Sequence, residues 1–113
     1  MEAIAAKPPV ALDNEGFLLD PDEWDWEVAE WLAERLGLEL NEPRREIVAW
    51  IREYFETTGT VPELRRLLQH LRAKHGKARA TRRYVYDLFP FGYGQQACKI
   101  AGMRKPLKLM LDV

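Results

Sequence analysis

Cysteine is nearly missing from this chain of 113 residues: Cys98 is the only one. A lone cysteine excludes an internal disulfide, and the expectation is a reducing, cytoplasmic compartment. Histidine is scarce too. His70 and His75 stand five positions apart, which splays them around a helix, and no Cys-x-x-Cys or His-x-x-x-His pattern exists. No metal site is expected, and both histidines read as exposed residues near a helix end. A glycine-rich phosphate loop and a Gly-x-Ser-x-Gly elbow are absent, and no two acids pair in an identifiable pocket. No cofactor is called for, and a carboxylate hydrolase has no support. No stretch approaches the roughly 20 apolar residues of a membrane span. The first residues, Met1 to Pro9, lack the basic region and apolar run of a signal peptide.

What is present fits a single soluble domain over residues 1–113, with a tail over 1–9, a core over 10–102 and an arm over 103–113. The net charge of −1 conceals a strong polarity. Twelve acids and two bases lie between Met1 and Glu42, whereas twelve bases and three acids lie between Val61 and Val113. Two packed halves would neutralise each other. A basic face would instead suit an anionic partner such as a nucleic acid or an acidic protein surface.

The pattern predicts an α+β fold, mostly helix: about five helices, an N-terminal β-hairpin and a flexible C-terminal arm. The hairpin is predicted from Val10–Leu12 and Phe17–Leu19, which flank a turn ending in Gly16, before Asp20-Pro21 breaks the strand. Helices are predicted over Trp26–Leu36, with Gly37 as stop, and from Asn41 as N-cap to Thr57, with Gly59 as stop. A third should begin at Thr60 in a capping box with Glu63 and close at Gly76. A fourth spans about Ala80–Phe89, and a short fifth, about Gln95–Ala101, carries Cys98.

Cys98 is the one residue with nucleophilic potential, and a thiol needs thiolate character to accept sulfur. Lys99, Arg104, Lys105 and Lys108 are near in sequence and could favour the thiolate, as could a helix N-terminus. Read blandly, Ala-Cys-x-Ile-Ala is a core face that holds a small residue. Arg65, Arg82 and Arg83 join Lys99, Arg104, Lys105 and Lys108 as candidate contacts for a partner or anion. The helices joined by Thr57–Thr60 faintly suggest a helix-turn-helix, a weak signal shared by any αα-hairpin with a glycine turn. The four tryptophans read as core or rim packing.

Leu88-Phe89-Pro90, Gly92, Gln96-Ala97-Cys98-Lys99-Ile100-Ala101-Gly102 and Lys105-Pro106 closely resemble the C-terminal signature of the DsrC/TusE family, which includes the gamma subunit of dissimilatory sulfite reductase. Asp13, Gly16, Phe17 and Leu18 resemble its N-terminal hairpin. Glu46 to Arg52, Pro62 with Arg65, and Arg83-Tyr84-Val85-Tyr86 are similar as well. The resemblance implies a cytoplasmic, mostly helical sulfur-trafficking protein whose C-terminal arm docks on sulfurtransferase or sulfite-reductase-like partners. In the DsrC branch the arm has two cysteines; in the TusE branch only the penultimate one carries sulfur. Cys98 matches the first, and Leu109 stands where the sulfur-carrying one belongs. Met110 replaces the terminal aliphatic residue, and Leu111-Asp112-Val113 extend beyond it. Tyr93-Gly94 replaces Pro-Ala, Gln95 a lysine, Arg104 a proline and Arg44-Arg45 a His-Trp pair. The missing proline should leave the root of the arm less rigid. By the resemblance, Cys98 is the only candidate for a persulfide or mixed disulfide, in a carrier without autonomous turnover. A non-catalytic regulatory or binding paralogue is the other reading, one that fills a partner's cleft or binds nucleic acid through the basic half.

Overall fold

Asp13 organises the start of the fold. Its carboxylate accepts hydrogen bonds from the backbone N–H of Glu15 (2.8 Å) and Phe17 (2.9 Å), and its backbone carbonyl accepts from Gly16, which sits at φ 90°. This Asx-type turn brings Leu12 and Leu18 together in one antiparallel bridge. The structure, a computed structural model, describes residues 10–104. Among these there is no β-strand, so the predicted β-hairpin, and with it the β part of the α+β assignment, is corrected to that single bridge. The pairing stops because Asp20 caps a 3-10 turn, Pro21–Glu23, and diverts the chain.

Four α-helices follow. Helix α1 (Trp26–Arg35) is capped by Asp25, whose side chain accepts from the N–H of Val28. Helix α2 (Glu42–Thr58) is capped by Asn41, has Pro43 in its first turn and ends at Gly59 in the left-handed region. Helix α3 (Leu64–His75) starts later than expected. Glu63 is its N-cap and makes no side-chain cap, so the predicted Thr60–Glu63 capping box does not form; the Thr60 hydroxyl pairs with Thr58 instead. A 3-10 turn, Lys77–Arg79, leads to α4 (Arg82–Leu88), capped by Thr81. The fifth helical element is a π-helix, Tyr93–Cys98, continued by one helical turn.

The core gathers one face from each element: Val28 and Leu32 of α1, Ile47, Val48 and Ile51 of α2, Leu67 and Leu71 of α3, and Val85 of α4. Into it projects the whole face that follows the π-helix start, with Tyr93, Ala97, Cys98, Ile100, Ala101 and Met103 each at most 1% exposed. Met103, the first residue of the expected arm, thus belongs to the packed body. The rest of the arm, including Lys105, Lys108 and Leu109, lies outside the described residues, as does the 1–9 tail. No described helix is long and apolar enough to cross a membrane.

Replacement of the Asn41 cap by alanine leaves a first-turn N–H of α2 without its side-chain acceptor. Asn41→Ala should lower stability by about 1 kcal/mol, read as a shift of the urea midpoint with an unchanged slope.

Candidate functional site: a sealed cysteine at the end of the fold

A π-helix closes its hydrogen bonds five residues apart rather than four, and so brings side chains at i and i+5 towards one another. Tyr93 and Cys98 are such a pair. The phenol donates a 2.6 Å hydrogen bond to the carbonyl oxygen of Pro62, just before α3, and also interacts with the thiol. Tyr93 thus supplies a polar contact at the sulfur.

The helical turn that follows Cys98 stops abruptly at Gly102. The N–H of Met103 bonds to the carbonyl of Cys98 (3.1 Å) and that of Gly102 to Lys99 (3.0 Å), with Gly102 left-handed at φ 76°. This is a Schellman stop. Upstream, the buried side chain of Gln96 accepts the N–H of Phe91 (3.0 Å), and so holds the Pro90-Phe91-Gly92 tip against the π-helix. Phe91 itself is 78% exposed.

The sulfur is sealed. Cys98 is completely buried, and removal from water pushes its thiol up to about 12; the hydrogen bond with Tyr93 pulls the other way but is outweighed. Burial also raises the Tyr93 phenol, which the nearby Cys98 reinforces. The core reading of Ala-Cys-x-Ile-Ala fits this burial, and burial favours the neutral thiol. The two described cations nearby, Lys99 and Arg104, turn elsewhere. Lys99 reaches back to the carbonyl of Glu15 (2.7 Å) with its ammonium 4.6 Å from the centre of the Phe17 ring. Burial holds the Lys99 ammonium below its usual range, although Asp13 and Glu15 oppose this. Arg104 donates to the carbonyl of Leu19 (3.1 Å).

The remaining candidates do not gather at the thiol. Arg65 is exposed on α3 and approaches Glu63 at 3.4 Å; Arg82 and Arg83 are exposed on α4. The histidines are also corrected. His75 is half-buried and bonds Glu46 at 2.8 Å, and His70 stacks on Trp50 at 5.3 Å. Partial burial opposes ionisation of Glu46, but His75 and then Lys74 outweigh it and hold its carboxyl below the usual range. Glu46 and His75 line an open cleft of about 600 Å³ with Trp26, Arg45, Lys74 and Arg79, apart from Cys98. No group of three His, Cys, Asp or Glu side chains among the described residues could hold a metal ion.

Sequence reasoning missed the residues that fasten this turn. Trp24 donates from its indole nitrogen to the carbonyl of Ile100 (2.8 Å), and Arg52 donates to that of Ala101 (3.3 Å). One signal was available for Arg52: it interrupts the apolar stripe of α2, between Ile51 and Phe55, where a solvated arginine is out of place.

The small helical fold and its buried, cysteine-bearing C-terminal turn define the DsrC-like class. The family model described as DsrC like protein matches residues 5–110 of the chain. Sulfurtransferase TusE of Pectobacterium atrosepticum is 39% identical over 99 residues, covering 88% of this chain and 91% of the relative. The TusE of Yersinia pseudotuberculosis is 38% identical over 96 residues, covering 85% and 89%. The crystal structure of the oxidised gamma subunit of dissimilatory sulfite reductase (DsrC) from Archaeoglobus fulgidus superposes with a TM-score of 0.77 at 41% identity, covering 86% of this chain and 89% of that one. The solution structure of Allochromatium vinosum DsrC gives 0.77 at 38% identity, covering 86% and 87%. The chain belongs to the DsrC-like protein family. These relatives are named for sulfur transfer and sulfite reduction, and the expectation of nucleic-acid binding is not carried forward.

Two outcomes follow from the sealed turn. The Cys98 proton is held up to about 12 in the fold, against about 9 for an unperturbed thiol. The unfolded state therefore ionises first, so the contribution of Cys98 to stability is intact below about pH 9 and is lost as pH rises towards 12. Urea midpoints should fall across this alkaline range, and less steeply in Cys98→Ala. Separately, a Cβ at Gly102 would overlap the Trp24 ring and force a left-handed side-chain residue. Gly102→Ala should cost about 2 kcal/mol or more, measured by thermal unfolding.

Proposed function

We propose that this protein works in sulfur trafficking as a carrier or docking component of the TusE and DsrC kind. Cys98 is the single thiol it can offer to a sulfurtransferase or a sulfite-reductase-like partner. The observation that carries the reading is the near-complete correspondence with the family: the model spans residues 5–110, and the TusE relatives are covered over about nine-tenths of their length. The chain is read as one domain, 1–113, with its arm and the basic residues Arg65, Arg82, Arg83, Lys99, Arg104, Lys105 and Lys108 as partner contacts. An unpaired thiol suits a reducing, cytoplasmic setting.

The chemistry is an exchange rather than a turnover. The Cys98 thiolate attacks the outer sulfur of a donor persulfide; the bond between the two donor sulfurs breaks, and the donor leaves as a thiolate. A new S–S bond forms on Cys98, and the proton lost by its thiol ends on the donor. No oxidant is consumed. The buried, protonated thiol of the closed fold does not enter this exchange, so transfer belongs to a form in which the last turn has opened.

Incubation of the native protein with an inorganic polysulfide should add about 32 Da, one persulfide sulfur, to its intact mass, and the gain should vanish in Cys98→Ala. No gain after an incubation long enough for the amides of Ala101, Gly102 and Met103 to exchange completely, so that the turn has opened many times, would overturn the carrier reading and leave a protein that docks without transferring sulfur.

A further inference from the structure

The carbonyl groups of the last helical turn end inside the protein, where each needs a donor. Two are met by side chains from far earlier in the chain. The indole N–H of Trp24 holds Ile100, and a guanidinium N–H of Arg52 holds Ala101. The two donors are themselves a unit. The Arg52 guanidinium lies 4.6 Å from the centre of the Trp24 ring and 5.7 Å from that of Phe55, and its other terminal nitrogen bonds Glu56 at 2.8 Å. Arg52 is only 8% exposed, and its Nε has no hydrogen-bond partner. A buried cation with one donor unsatisfied is costly to keep, and what it obtains in return is the grip on Ala101. On the other side, the Trp24 ring occupies the space a Cβ of Gly102 would need. Trp24 is fixed in turn by its N–H to Pro21 (3.2 Å) and by the α1 cap that follows it.

We propose that Trp24 and Arg52 are positioning residues that form a latch on the 98–103 turn, and that release of their two hydrogen bonds is the step that uncovers the Cys98 sulfur. The opening is local. It parts the last turn from Trp24 and α2 while the packing of α1 to α3 persists. The inference rests on the reading of Cys98 as the protein's working thiol, and it names the residues that control access to it.

The test is the rate at which N-ethylmaleimide alkylates Cys98 in the folded protein at neutral pH, read by intact mass beside amide hydrogen exchange. In Trp24→Phe the ring remains and the N–H is lost; in Arg52→Met the stem remains and the guanidinium is lost. Each should raise the alkylation rate about tenfold, the order expected for one buried hydrogen bond. Each should also speed amide exchange at Ala101, Gly102 and Met103, and in the unmodified protein as in the variants these amides and the thiol should open more often than the slowest amides of α2, because their opening leaves α1 to α3 packed. Alkylation that stays at the unmodified rate in both variants, or that already in the unmodified protein is no more frequent than the opening that exposes the slowest α2 amides, would overturn the latch, because the thiol would then be reached only through global unfolding. If Trp24→Phe does not fold, Arg52→Met gives the same readout. Alkylation uses neither a persulfide nor a partner, so failure of the carrier experiment and failure of the latch are separate results.

Discussion

A backbone carbonyl carried into a protein core must meet a donor, and here that requirement falls on the end of the last described helix. The turn from Cys98 to Met103 is buried, with Cys98, Ile100, Ala101 and Met103 wholly removed from solvent. Its own N–H groups satisfy Cys98 and Lys99 through the Schellman stop, and side chains satisfy Ile100 and Ala101. Those side chains must be present, correctly aimed and dry, which fixes the path of Pro21–Asp25 and places an arginine on the apolar face of α2. The same packing removes water from the sulfur. Stability and silence of the thiol therefore have one origin.

The helical frame was legible because its signals are local. Asn41 and Gly59 bound α2 as their chemistry requires, and Gly37 and Gly76 lie just beyond α1 and α3. Local signals also misled. Thr60 and Glu63 have capping-box spacing, but Thr60 is engaged by Thr58 and the helix begins at Leu64. Two apolar triplets around Gly16 look like strands, yet the Asx turn at Asp13 and the diversion at Asp20 leave room for one bridge. The π-helix has no composition of its own; one extra residue in a turn is decided by packing, here that of Tyr93 under Pro62.

At the candidate site the family signature located the cysteine, and the Ala-Cys-x-Ile-Ala pattern already contained its burial. What surrounds the sulfur was not legible, because hydrogen bonds from Trp24 and Arg52 span 76 and 49 residues of sequence and leave no periodic trace. Proximity in sequence was a poor guide to electrostatics for the same reason. Lys99 is adjacent to Cys98 but lies on the other face of the turn, where its ammonium meets Glu15 and Phe17.

The two ends of the described chain are tied by Lys99 to Glu15 and Arg104 to Leu19, contacts separated by 84 and 85 residues. Contacts so distant carry the largest loop-closure entropy and reward a folding chain only after the elements between them have docked. The turn that hides the sulfur is thus completed near the end of folding. During synthesis and refolding Cys98 is an ordinary thiol, open to sulfur donors and oxidants alike, and it is removed from their reach only when residues 15–24 close over the 98–104 turn.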